Sequence, residues 1–137
     1  MIRALEYYQL HGKPISDHNQ EMRGKESPYD LDYLAIHWER PVLYERIDRR
    51  VDQMIGQGLV DEVRRLLDEG VQPGMTSMQG LGYKEIIPYL EGKCSLEEAV
   101  YILKRDTRHF AKRQLTWFRA EKDVRWIEGT EMEKYYE

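Results

Sequence analysis

The chain has 137 residues, 41% hydrophobic and 34% charged, and its 21 Lys and Arg against 25 Asp and Glu give a formal net charge of −4. That is one globular domain's worth of chain, or a piece of a larger domain, with apolar side chains enough for a modest core. Cys94 is the single cysteine, which rules out an intrachain disulfide and a thiolate zinc cluster. No apolar run approaches the roughly 18 residues of a transmembrane helix, so no membrane partner is expected and a reducing cytoplasm is the expected compartment.

IRALEYYQL opens the chain in a helical pattern that stops at Gly12 and Pro14. Residues 16–30, SDHNQEMRGKESPYD, are polar and read as a loop or linker. LDYLAIHW (31–38) has little polar alternation, as a short buried strand does. From Val42 to Ile55 the residues Leu43, Ile47, Val51, Met54 and Ile55 recur at helical spacing. Gly56 and Gly58 punctuate that helix, and a second follows with Leu59, Val63, Leu66 and Leu67 on one face before Gly70. The stretch GVQPGMTSMQGLG (70–82) holds four of the ten glycines; such a loop is usually a turn but can bring backbone N–H groups to a ligand. YKEIIPYL (83–90) predicts a short helix kinked or limited by Pro88. Ser95 and Glu98 have capping-box spacing and open the longest helix, to about Arg119, and VRWI (124–127) predicts a last short strand.

On that longest helix, at 100° per residue, Leu96, Val100, Leu103, Thr107, Phe110, Ala111, Gln114 and Phe118 fall within about 60° of one line and form the expected buried stripe. Lys104, Arg105, Arg108, Lys112 and Arg119 fall on one flank, where Glu97 is the only carboxylate. Residues 103–122 hold seven cations, Lys122 among them, against Asp106 and Glu121, a local charge of +5, whereas 128–137 is acidic. A solvated flank is the ordinary reading of such a stripe. Unbalanced cations beside Thr116 and Trp117 are also what phosphates and unstacked bases ask for. Arg50, one turn after Arg46, sits at the edge of an apolar stripe, where an arginine snorkels, pairs with a buried carboxylate or faces an anion. His11, His18, His37 and His109 have no metal-ligand spacing, and no phosphate-binding glycine loop, nucleophile elbow or dinucleotide fingerprint is present.

RALEYYQLHGKPIS, ERIDRRVDQMIGQGLVDEV, SMQGLGYKE, YLEGKCSLEEAV and TRHFAKRQLTWFR follow one another here in an order that resembles the tRNA dimethylallyltransferases (tRNA isopentenyltransferases), from about Arg3 to Trp126. The resemblance implies transfer of a dimethylallyl group from dimethylallyl diphosphate to N6 of adenosine 37 of tRNA. It implies an α/β fold: a P-loop-kinase-like core with a helical insertion that grips the anticodon stem-loop. This chain would be a mostly α-helical C-terminal portion with one or two short strands. Residues 1–20 would be the last helix of the insertion, 21–30 a linker, 31–127 the C-terminal part of the core, and 128–137 an acidic tail. By the same resemblance Arg50, with Arg46 beside it, binds the diphosphate. The RNA-contacting set would be Arg3; Gln79, Gly80, Leu81, Gly82, Tyr83 and Lys84; and Arg108, Lys112, Arg113, Gln114, Leu115, Thr116, Trp117, Phe118 and Arg119. The family's P-loop and general-base aspartate have no counterpart in this sequence. No catalytic residue is therefore expected here, the Mg²⁺ of the whole enzyme would have its ligands elsewhere, and the chain by itself is expected to be inactive. A stand-alone RNA-binding or helical interaction module is the alternative.

Overall fold

The computed structural model describes residues 2–23, 29–121 and 123–132. Two compact units make up the chain, Met1–Asp32 and Tyr33–Glu137. In the first, α1 (Ile2–His11) is followed by α2 (Ile15–Arg23). The helix α2 corrects the expectation of a loop from residue 16 and of a linker from residue 21. Pro14 just ahead of it and Asp17 in its first turn are start signals that the polar composition hid. A contact with α1 adds support, the Tyr7 ring lying 5.3 Å from that of His18, and Lys13 Nζ, in the turn between the helices, lies 3.0 Å from Glu21 Oε2. The linker's residues 24–28 lie outside the described residues, as do Lys122 of the cation stripe and 133–137 of the acidic tail.

The second unit is mostly helical. After β1 (Leu34–His37) come α3 (Arg40–Gly56), α4 (Leu59–Asp68), a 3-10 turn at Thr76–Gln79, α5 (Tyr83–Leu90), α6 (Leu96–Ala120) and β2 (Arg125–Glu128). The two strands pair in parallel, Leu34 opposite Arg125 and His37 opposite Glu128, across the whole helical segment. Ala35 and Ile127 are buried, but Ile36 is 46% exposed, so the expected buried strand is buried only in part. Two strands with few helices over them cannot cover a run as apolar as LDYLAIHW.

The core lies among the helices: Val51, Leu59, Val63, Met78, Ile86, Ile87, Ala99 and Leu103 form one buried cluster. Met78 reaches it from the 3-10 turn and so pins the glycine-rich loop to the core. Ser95 caps α6 as its spacing predicts: its Oγ accepts the Glu98 N–H at 3.2 Å, and Glu98 accepts the Ser95 N–H at 2.9 Å. Pro88 does not end α5, which runs two residues further. Its missing N–H costs the one ladder bond to the Lys84 carbonyl, and the helix still closes with the Glu91 N–H on the Ile87 carbonyl at 3.0 Å.

Candidate functional site

Arg46 and Arg50 project from one face of α3, a helical turn or about 6 Å apart. With Arg49, Gln53 and Thr107 they rim a groove of about 680 Å³ whose apolar lining is Ile47, Val51, Met54, Leu81, Leu103 and Phe110. The three arginines differ in what their donors do. Arg49 Nη2 donates to Glu45 at 2.9 Å. Arg46 stacks its guanidinium on Trp38, 4.2 Å from the ring centroid, and stacking leaves the in-plane N–H donors unspent. Among the described residues Arg50 makes no hydrogen bond or ion pair. Of the three roles open to Arg50 from sequence, a buried carboxylate partner is therefore absent among the described residues. Two unspent guanidinium forks over an apolar floor suit a ligand with an anionic head and a hydrocarbon tail.

The glycine-rich loop closes this groove at Leu81, beside a buried glycine. Gly82 is buried, has φ +107°, and packs on the side chains of Met54 and Leu59. A side chain there would be strained whatever space it found. Its N–H donates to Glu85 Oε2 at 2.9 Å, so this donor of the loop is spent inside the fold. Gln79 donates to the Pro73 carbonyl at 2.9 Å, Gly80 is exposed, and Lys84 Nζ lies 3.6 Å from Glu85 Oε1. The Tyr83 hydroxyl donates to Glu62, and that bond raises the Tyr83 pKa above its usual value.

The cation stripe of α6 divides in two. Lys104 Nζ lies 2.6 Å from Asp52, and Arg105 Nε lies 2.8 Å from Asp106, holding that carboxyl below its usual range. Arg108 grips Asp48 with two bonds, Nε to Oδ1 at 3.0 Å and Nη2 to Oδ2 at 2.5 Å, which raise its pKa further. Two cations of the flank, Lys104 and Arg108, find carboxylates on α3, while Arg105 takes Asp106 on its own helix; two of the five Arg108 donors are thus engaged with protein. Beyond it, Lys112, Arg113 and Arg119 are exposed and make no ion pair among the described residues. Trp117 is 57% exposed and meets Phe118 edge-to-face at 5.1 Å. Gln114 and Thr116 are exposed and Leu115 is half-buried. A shallow shelf lined by His109, Lys112, Arg113, Thr116 and Trp117 runs along this end. Arg3 is exposed on α1, in the other unit.

The family model described as IPP transferase matches residues 1–121. The chain belongs to the IPP transferase family. It is 62% identical over 126 residues to the tRNA dimethylallyltransferase of Lachnoclostridium phytofermentans, covering 92% of this chain and 40% of that protein. It is 54% identical over 127 residues to the tRNA dimethylallyltransferase of Pelotomaculum thermopropionicum, covering 93% and 40%. Among solved structures it is similar to the tRNA delta(2)-isopentenylpyrophosphate transferase of Staphylococcus epidermidis, with TM-score 0.73, 42% identity, and 93% and 41% of the two chains covered. The tRNA isopentenylpyrophosphate transferase of Bacillus halodurans gives TM-score 0.72 and 39% identity over 91% and 45%. The chain thus spans about 40% of the length of the curated relatives it matches. A mostly helical unit with two parallel strands is consistent with a C-terminal part of an α/β IPP transferase.

Two residues behind the groove's Arg46 were not singled out from sequence: Trp38, on which it stacks, and Gly129, which abuts the Trp38 ring. An aromatic at the end of one strand and a glycine at the end of the other were the available signal, but only the strand pairing brings them together. No group of three or more His, Cys, Asp or Glu side chains able to hold a metal ion occurs among the described residues. Nor is any helix among the described residues long and apolar enough to cross a membrane.

Proposed function

We propose that this chain forms the diphosphate-gripping and RNA-facing part of a tRNA dimethylallyltransferase, acting on N6 of adenosine 37 in the anticodon loop. The observation that carries the reading is the pair of unspent guanidinium forks, Arg46 and Arg50, above an apolar floor in a chain of this family. In the reaction the C1–O bond of dimethylallyl diphosphate breaks, N6 bonds to C1, and N6 gives up a proton. Arg46 and Arg50 stabilise the charge that collects on the departing diphosphate, while Ile47, Val51, Met54 and Leu81 shelter the hydrocarbon. The exposed Lys112, Arg113, Trp117 and Arg119 supply phosphate and stacking contacts to the RNA. The phosphate loop, the base at N6 and any Mg²⁺ site fall to the rest of the enzyme, and a tRNA substrate makes the cytoplasm its setting.

The test is a hybrid in which this chain replaces the matching part of the Lachnoclostridium phytofermentans enzyme. It should transfer label from dimethylallyl diphosphate to unmodified tRNA. Arg50→Gln should lower kcat/KM for the diphosphate by roughly 10- to 150-fold, the loss of one charged hydrogen bond, with tRNA affinity nearly kept. Lysine at position 50 should restore only part, since it cannot present a planar fork. A hybrid that binds tRNA but transfers nothing would favour the RNA-binding module instead.

A further inference from the structure

The groove's two key arginines are held differently: Arg50 stands alone on the rim, whereas Arg46 lies on an indole. Trp38 follows directly on β1, and Gly129 follows directly on β2. The parallel pairing of the strands carries past their ends, since the Gly129 N–H donates to the His37 carbonyl at 2.8 Å. The indole occupies the space a side chain at 129 would need: an ideal Cβ there would overlap Trp38 Cε2 and Cζ2. No L side chain fits against a ring so close, so Gly129 is the seat that lets the indole lie where Arg46 stacks on it, 4.2 Å from the ring centroid.

From this contact we infer that Trp38, seated on Gly129, is a positioning residue that presents Arg46 to the diphosphate. A free arginine on a helix surface samples many rotamers, and fixing one costs binding free energy. A ring beneath the guanidinium fixes its plane in advance and competes for none of its five donors, unlike the carboxylate that engages Arg49. The anion then meets one preorganised fork, Arg46, and one fork, Arg50, that no hydrogen bond or ion pair among the described residues holds. The sheet therefore contributes to the groove although no strand residue lines it.

The inference rests on the diphosphate reading of the groove, and one experiment separates the two. Inorganic diphosphate is titrated into the 137-residue chain while indole emission is followed, with Trp38→Phe used to isolate the Trp38 signal from those of Trp117 and Trp126. Diphosphate should change Trp38 emission saturably, and Arg46→Gln should abolish the change. Trp38→Leu should raise the Kd about 2- to 5-fold, the range of a partly exposed cation–π contact, and Trp38→Phe by less. Gly129→Ala should act like Trp38→Leu by displacing the ring. Circular dichroism and the affinity for an anticodon stem-loop RNA should stay unchanged in Trp38→Phe, which a merely structural tryptophan would not guarantee. If Arg50→Gln weakens diphosphate binding while Trp38 emission and the Trp38→Phe affinity do not move, the positioning role is wrong and the groove reading stands. If neither Arg46→Gln nor Arg50→Gln weakens binding, the groove reading falls and the positioning role with it.

Discussion

From Leu96 to Arg108, α6 lies against α5 and α3, buries Ala99 and Leu103, and has its cations paired. From His109 to Ala120 it is just as basic, yet Lys112, Arg113 and Arg119 make no ion pair among the described residues, and Phe110 and Trp117 are 42% and 57% exposed. The difference does not come from composition. Asp48 and Asp52 are four residues apart on α3 and meet Arg108 and Lys104, four apart on α6 in reverse order, so the helices run antiparallel along that stretch. Where α3 supplies carboxylates in register, cations lock the two helices together; where it does not, they face outward. A cation stripe on a helical wheel is therefore two things at once, and only the neighbouring helix separates them.

The largest expected effect that would break this comparison is in the core. Leu103→Ala should cost about 2–5 kcal/mol of stability, as fully buried leucines do. Trp117→Ala, on the exposed half, should stay within about 0.5 kcal/mol. Denaturant unfolding followed by circular dichroism measures both, and comparable losses would mean that the two halves are equally packed. A smaller effect is expected at the α3–α6 clamp. Arg108→Gln should cost about 1–3 kcal/mol, toward the low end because both partners are about a third exposed. Adding Asp48→Asn should cost less than the sum of the single changes, because each has already broken the same pair.

The smallest effect is a pH dependence at Tyr83. Its pKa is raised by the hydroxyl's bond to Glu62. A raised pKa means that the protonated phenol is favoured in the folded state. The stabilisation is thus complete below the ordinary tyrosine range and is lost as pH rises through the folded value. Thermal melts should show an alkaline loss that Tyr83→Phe removes. An identical alkaline profile in the two proteins would contradict the assignment.

Local chemistry made several of these features legible. The Ser95 and Glu98 cap, the glycines closing the helices and the apolar spacing of α3 each involve residues within a turn or two of one another, where sequence pattern is informative; of the buried stripe expected on α6 only Leu103 is buried, and Phe110 and Gln114 are exposed. Arg50 stood out because a cation at the edge of an apolar stripe is anomalous on its own helix. Asp48 with Arg108, 60 residues apart, and Trp38 with Gly129, at the ends of two strands, were not legible, because only tertiary packing joins them. The same holds for Gly82, whose backbone donor is taken by Glu85 rather than offered to a ligand. For α2 the polar composition outweighed the start signals at Pro14 and Asp17, and contacts with α1 decided the outcome.

The division of α6 is tested most directly by the salt dependence of binding to an anticodon stem-loop RNA. Removing one cation that neutralises a phosphate should reduce the log–log slope of affinity against salt by roughly 0.7–0.9. Lys112→Gln, Arg113→Gln and Arg119→Gln should each flatten it by up to that amount, whereas Lys104→Gln and Arg108→Gln should leave it unchanged. Equal flattening by all five, or by the Lys104 and Arg108 variants alone, would contradict the account, because the paired half of the helix would then be the half that meets the RNA.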